Sequence, residues 1–185
     1  MQITLLNGNP GNAHPGFDAY LEKLEKVLMA QAHTTQILTL RNLEARYCTG
    51  CWSCWVKTPG KCVFEDDSHM VCRAVINSDF VLFASPVIMG YVSAELKKYT
   101  DKLIPLVHPY IIIDQGEAHH RHRYDPNTYP VGGLLLENTQ GTDDEDIEII
   151  SAIHGRTMLN IKSRNAFTML TDQPVEEVAN AINHH

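Results

Sequence analysis

Several things are scarce in this sequence, and each scarcity removes a class of function. No apolar stretch approaches the ~18 residues needed to cross a bilayer as a helix, and no membrane partner is expected. Basic residues are outnumbered, 15 Lys and Arg against 22 Asp and Glu, for a net charge of −7. A nucleic-acid or anionic-lipid surface needs a basic face, so small molecules are the expected partners. The N-terminus, MQITLLNGNP, lacks the basic region of a secretory signal and reads as a first strand. A cytoplasmic chain with reduced thiols is therefore expected. Tryptophan occurs twice and cysteine five times, and both tryptophans and four cysteines fall between Cys48 and Cys62.

What is present builds a core. Of the 185 residues, 44% are hydrophobic and 20% charged, which excludes a disordered chain and fits one domain over 1–185. Short apolar runs alternate with helical spacing. Strands are expected at Ile3–Asn7, Thr35–Leu40, Asp79–Ala84, Gly132–Asn138 and Asn165–Leu170. Helices are expected through Phe17–Leu28, Met70–Val75, Leu96–Leu103, Ile147–Ile153 and Val175–Ile182. Five apolar strands alternating with helices imply an α/β fold, a parallel sheet covered on both faces. One stretch breaks the rhythm. Residues 105–130 form an insertion long enough to carry structure of its own or a function.

In an open parallel sheet, ligands bind beyond the C-terminal strand ends. Three such turns stand out: Asn7–Phe17 (NGNPGNAHPGF), Ser85–Gly90 (SPVIMG) and Asn138–Gly141 (NTQG). The first is built of small residues ahead of a helix N-terminus, which suits a phosphate. Together the three could enclose a ligand with a phosphate and a flat apolar part.

Two blocks carry a family resemblance: CTGCWSCWVKTPGKCVFEDD (Cys48–Asp67) and SDFVLFASPVIMGYVSAELKKYTDKL (Ser78–Leu103). In them the chain resembles the flavodoxin-like NAD(P)H-dependent FMN reductases, including the iron–sulfur flavoproteins. The second block supplies that family's Asp79, Ser85-Pro86-Val87, Gly90, Ser93, Leu96-Lys97 and Asp101-Lys102. The resemblance implies a three-layer sandwich, strand order 2-1-3-4-5, and FMN at the strand ends with NAD(P)H as co-substrate. By position, Asn9, Pro10, Asn12 and His14 would hold the flavin phosphate. Pro86, Val87, Ile88, Met89 and Gly90 would line the ring with backbone groups, and Asn138, Thr139, Gln140 and Gly141 would close the other side. The chain departs from the family twice. The usual Ser/Thr-rich phosphate clasp is GNAHPGF here, so His14 and backbone amides must substitute. The usual Tyr after Pro-Val is Ile88.

The cysteines fall as C-x2-C-x2-C-x7-C, at Cys48, Cys51, Cys54 and Cys62. Four thiolates at this spacing can wrap a [4Fe–4S] cluster, which agrees with the iron–sulfur flavoproteins. A zinc ion and uncommitted thiols are the alternatives. Cys72 reads as a small core residue. In the insertion, His119, His120 and His122 alternate with Arg121 and Arg123, whose charges would repel a metal ion. Arg121 or Arg123 could instead hold a pyridine-nucleotide phosphate, or simply belong to a surface loop. Lys57 reads as a solvated lysine, and Tyr91 and Tyr99 as packing residues. Spacing reveals no Ser-His-Asp set and no paired catalytic carboxylates, so the chemistry falls to the cofactor.

The leading expectation is an FMN-dependent oxidoreductase passing electrons from NAD(P)H to a quinone or other small acceptor. An iron–sulfur flavoprotein electron carrier is the alternative, and a zinc-clamped, non-enzymatic scaffold the third. The family resemblance also implies a homodimer or higher homo-oligomer, with Trp52 and Trp55 as candidate interface residues.

Overall fold

A computed structural model describes residues 1–114 and 116–185. In chain order the elements are β1 (Gln2–Asn7), α1 (Pro15–Ala30), β2 (Thr34–Thr39), α2 (Ser53–Val56), α3 (Ser68–Ile76), β3 (Phe80–Ile88), β4 (Tyr91–Val92), α4 (Ala94–Asp101), β5 (Val107–Asp114), β6 (Glu117–His122), β7 (Val131–Glu137), α5 (Asp144–Asn160), β8 (Asn165–Leu170) and α6 (Val175–Asn183). The main sheet runs β2-β1-β3-β7-β8, all parallel. Counting only the parallel strands, this is the expected order 2-1-3-4-5.

The period of two along each strand sorts side chains onto two faces. Leu5, Leu82 and Leu135 pack with Phe17, Leu21, Leu24 and Leu28 of α1 and Val175, Val178 and Ile182 of α6. Their neighbours Leu6, Val81, Phe83, Leu134 and Leu136 face Val71 and Val75 of α3, Leu96 and Tyr99 of α4, and Ile150 and Met158 of α5. A sheet buried on both faces explains why its strands read as continuous apolar runs. Among the described residues no helix is long and apolar enough to cross a membrane.

One boundary differs from expectation, and the insertion carries structure of its own. β3 does not stop at Ala84 but continues through Pro86 to Ile88. Its neighbour β1 ends opposite Ala84, so the following residues have a partner on one side only. A proline, which has no N–H to donate, is tolerated there. β3 then folds back on β4, pairing Val87 with Val92 and Ile88 with Tyr91. Met89 and Gly90 form the two-residue turn with φ of 52° and 72°, the signature of a tight hairpin turn. The insertion is an antiparallel hairpin of β5 and β6, pairing Ile111 with His120 and Ile113 with Ala118. Tyr129 anchors its base by donating to the Leu106 carbonyl at 2.6 Å and accepting from the Arg123 amide at 2.8 Å.

Candidate functional site

The three strand-end loops are tied to one another. The amide of Gly8, after β1, donates to the Ala84 carbonyl of β3 at 2.8 Å. Nothing larger than glycine fits at position 8, because an added Cβ would lie 2.7 Å from the Leu96 Cβ and 2.9 Å from the Ala84 oxygen. Ser93 caps α4 by accepting from the Leu96 amide at 3.1 Å, and its hydroxyl donates to the Gly8 carbonyl. The Thr139 hydroxyl, after β7, donates to the Val87 carbonyl at 2.6 Å. Finally, His14 Nδ1 meets Glu137 Oε2 at 2.5 Å.

Within the first loop, Asn9 is buried and turned inward. Its amide donates to Asn7 Oδ1, its Nδ2 donates to the His14 carbonyl, and its Oδ1 accepts from the Gly11 amide, all within 3.1 Å. Asn9 therefore shapes the loop from within. Pro10 and Asn12 face solvent, and no atom would crowd a Cβ at Gly11. Asp18, on the first turn of α1, receives both arms of Arg41 and the Asn7 side chain. Burial works against its charge, yet those hydrogen bonds hold its carboxyl below the ordinary range. At the same strand ends, Met89 of the Met89–Gly90 turn is fully exposed, and Asn138, Gln140 and Gly141 are exposed.

This arrangement suits a flavin phosphate and ring. A short loop of small residues leads into the N-terminal end of the 16-residue helix α1, the positive end of its dipole; Pro15 opens the helix without an N–H, and the Phe17 amide donates to the His14 carbonyl at 3.2 Å. Backbone groups of two further loops stand across from it. Pro86 and Val87 are buried in β3, so the exposed part of the second loop is Ile88–Gly90. The expected phosphate contact of His14 finds that ring already against Glu137, a residue the sequence reading had not singled out.

The cysteine stretch forms a second centre. Cys48, Cys51, Cys54 and Cys62 all line one cavity of about 280 Å³, walled by Trp52, Phe64, Ile104 and Pro105. Cys48 and Cys51 are exposed, Cys62 half-buried and Cys54 buried on α2. Burial and the neighbouring thiols Cys62 and Cys48 push the Cys54 thiol up; a hydrogen bond with Ser53 draws the Cys51 thiol down. Among the described residues no three His, Cys, Asp or Glu side chains are grouped as a single metal ion would need.

Asp66 closes the stem of this loop. It accepts from the Arg46 amide before the cysteines and from the Ser68 amide after them, and it holds the buried Lys102 ammonium at 2.7 Å. Burial opposes ionisation of Asp66, but Lys102, Ser68 and the Arg46 amide bring its carboxyl down to about 2. Lys102 also lines the cysteine cavity. Neither Asp66 nor Lys102 was expected there; a lysine beside a helix end carries no sequence signal of burial. Trp55 stacks on Trp52 at 4.8 Å, donates to the Ile104 carbonyl and packs on His120 of β6. The cysteine loop and the insertion hairpin are thus one packed unit.

The remaining candidates are placed plainly. Arg123 donates to the carbonyls of Pro105 and Val107, a structural task, while Arg121 and Lys57 are exposed. His119 is buried, His120 lies on Trp55, and His122 lies on Tyr129, so the three rings have different surroundings. Cys72 is half-buried with its thiol on the Lys102 carbonyl, and Tyr99 is buried.

A family model for NADPH-dependent FMN reductases matches residues 1–123. An iron-sulfur flavoprotein of Archaeoglobus fulgidus is 36% identical over 111 residues, 58% of this chain and 48% of that one. An iron-sulfur flavoprotein of Methanocaldococcus jannaschii is 36% identical over 72 residues, 39% of this chain and 36% of that one. The chain thus spans about half, or less, of the length of the curated relatives it matches. In fold it is similar to an NAD(P)H:quinone oxidoreductase from Methanothermobacter marburgensis (TM-score 0.66, 18% identity, 100% of this chain and 98% of that one). It is likewise similar to an azoreductase from Bacillus anthracis (TM-score 0.65, 15% identity, both chains covered fully). The family match takes in the first two strand-end loops and all four cysteines of the cavity, and the chain belongs to the NADPH-dependent FMN reductase family.

Proposed function

We propose that this chain is a single flavodoxin-like domain that binds FMN between the loops after β1, β3 and β7. It passes electrons from NAD(P)H to a quinone or another small acceptor. The observation that carries this reading is the mutual tethering of three loops at the C-terminal strand ends, through Gly8–Ala84, Thr139–Val87 and His14–Glu137. Bound FMN would supply the redox chemistry, accepting electron pairs from the nicotinamide and releasing them to the acceptor. The protein's part is to bind and orient. Amides of the loop through Asn12 and His14 receive the phosphate, at the positive end of the α1 dipole. Backbone groups of Ile88–Gly90 and Asn138–Gly141 meet the donor and acceptor edge of the ring. Exposed Met89 leaves this side of the site accessible to a co-substrate. We also read the chain as a homodimer or higher homo-oligomer, because Trp52 and Val56 are 53% and 77% exposed.

A second reading has an observation of its own. The four thiols lining one cavity favour a [4Fe–4S] cluster at Cys48, Cys51, Cys54 and Cys62, as an additional electron store beside the flavin. Anaerobic purification, a visible spectrum, and iron and flavin assays test both readings together. Two flavin bands and oxidation of NAD(P)H with a quinone support the first. About four irons per chain, lost on Cys51→Ser while flavin binding persists, support the second. Failure to bind added FMN would overturn the first.

A further inference from the structure

The loop that receives the flavin phosphate, Gly8–His14, contains one ionisable base, His14. That base is committed. Its Nδ1 lies 2.5 Å from Glu137 Oε2, and both side chains are about one-fifth exposed. The position of Glu137 follows from the strand it ends. Leu135 points to the α1 side of the sheet, and the period of two puts Glu137 on that same side, at the start of α1. The carboxylate therefore reaches the phosphate loop because of strand register rather than because a mobile side chain wandered there.

The other charges near the loop also cancel. Arg41 comes closest, donating to the Asn9 carbonyl at 3.2 Å, but its two arms are bound to Asp18. Two carboxylates thus face one guanidinium and one imidazole. A flavin phosphate carries about −1.5 to −2 charges at neutral pH. It would meet backbone amides and a helix dipole, which favour it, with no net positive charge from these side chains to add to them.

We infer that Glu137 sets the phosphate preference of the flavin site: by holding His14 at Nδ1 and placing a carboxylate beside the loop, it weakens the preference for FMN over unphosphorylated riboflavin. This rests on the strand-end loops being the flavin site. Without the negative charge at position 137, the phosphate loses a nearby like charge and His14 no longer answers a carboxylate. Riboflavin, which has no phosphate, gains nothing from either change.

The test is a fluorescence titration of the flavin-stripped protein with FMN and with riboflavin, for the wild type and Glu137→Gln. Glutamine keeps the size of the side chain and can still hydrogen-bond His14. The wild type should prefer FMN over riboflavin by a smaller factor than Glu137→Gln does. Glu137→Gln should tighten FMN on the order of tenfold and leave riboflavin within about twofold, since the change is one charge near one phosphate. A second variant works in the opposite sense. His14→Gln leaves the Glu137 carboxylate without its base and should weaken FMN while sparing riboflavin, which keeps the inference testable if Glu137→Gln folds poorly. Unchanged FMN affinity in both variants, or equal shifts for both flavins, would overturn the role of Glu137 alone. Binding of neither flavin by the wild type would overturn the site itself, and the inference with it.

Discussion

His154 provides a pH-dependent handle on this fold. It sits on the inner face of α5, 8% exposed, with its ring edge-on to Phe83 at 4.9 Å and no partner for Nε2 among the described residues. Burial disfavours the imidazolium and lowers its pKa from 6.5 to about 4. The unfolded chain takes up a proton near pH 6.5, and the folded chain only near pH 4. This neutral histidine therefore costs nothing above pH 6.5. Stability falls as pH drops from there toward 4, where the unfolded state alone binds the proton. At about 1.4 kcal/mol per pKa unit the full loss is about 3 kcal/mol, and about 2 kcal/mol of it is reached by pH 5. His154→Leu removes the titrating group and keeps an apolar side chain against Phe83. Urea denaturation at pH 7.5 and pH 5 should show the wild type losing about 2 kcal/mol more than the variant between the two. Equal pH sensitivity in the two proteins would refute the burial argument.

Other perturbations follow from packing and charge. Gly133→Ala would place a Cβ 2.7 Å from Phe167 and 2.8 Å from Phe80, and should cost about 1–3 kcal/mol by urea titration. Gly8→Ala should push the first loop away from Ala84 and Leu96, destabilising the fold by a similar amount and weakening FMN binding measured by fluorescence. Asp66→Asn leaves the Lys102 ammonium buried without its partner and should cost about 3–5 kcal/mol by urea titration; the cluster reading further predicts less iron retained by the cysteine loop. The carboxyl of Asp66 is held at about 2, so its contribution is complete above the ordinary value of 3.8. It is lost as pH falls through about 2, and the variant should lack that acid-limb decline.

The two centres sit at opposite ends of α4. Ser93, at its start, grips the Gly8 carbonyl in the proposed flavin site. Asp101 and Lys102, at its end, line the cysteine cavity. The eight residues of α4 amount to about 12 Å of helix.

Much of this was legible in the sequence. The apolar runs of β1, β3 and β7 and the spacing of α1 and α6 announced a doubly covered parallel sheet, because burial on two faces leaves a periodic trace in the chain. The cysteine spacing announced four thiols brought to one cavity, and the small residues after β1 announced a tight turn at the strand end. Boundaries were less legible where pairing is one-sided: the strand was expected to end at Ala84, and only the early end of β1 makes Pro86 tolerable within β3. The pairing of His14 with Glu137 spans 123 positions, and that of Lys102 with Asp66 spans 36. No local pattern records such meetings. Periodicity tells which face a residue takes, because it is set by neighbours along the chain. Which charge it meets there depends on strand order and register, and these exist only once the sheet is assembled.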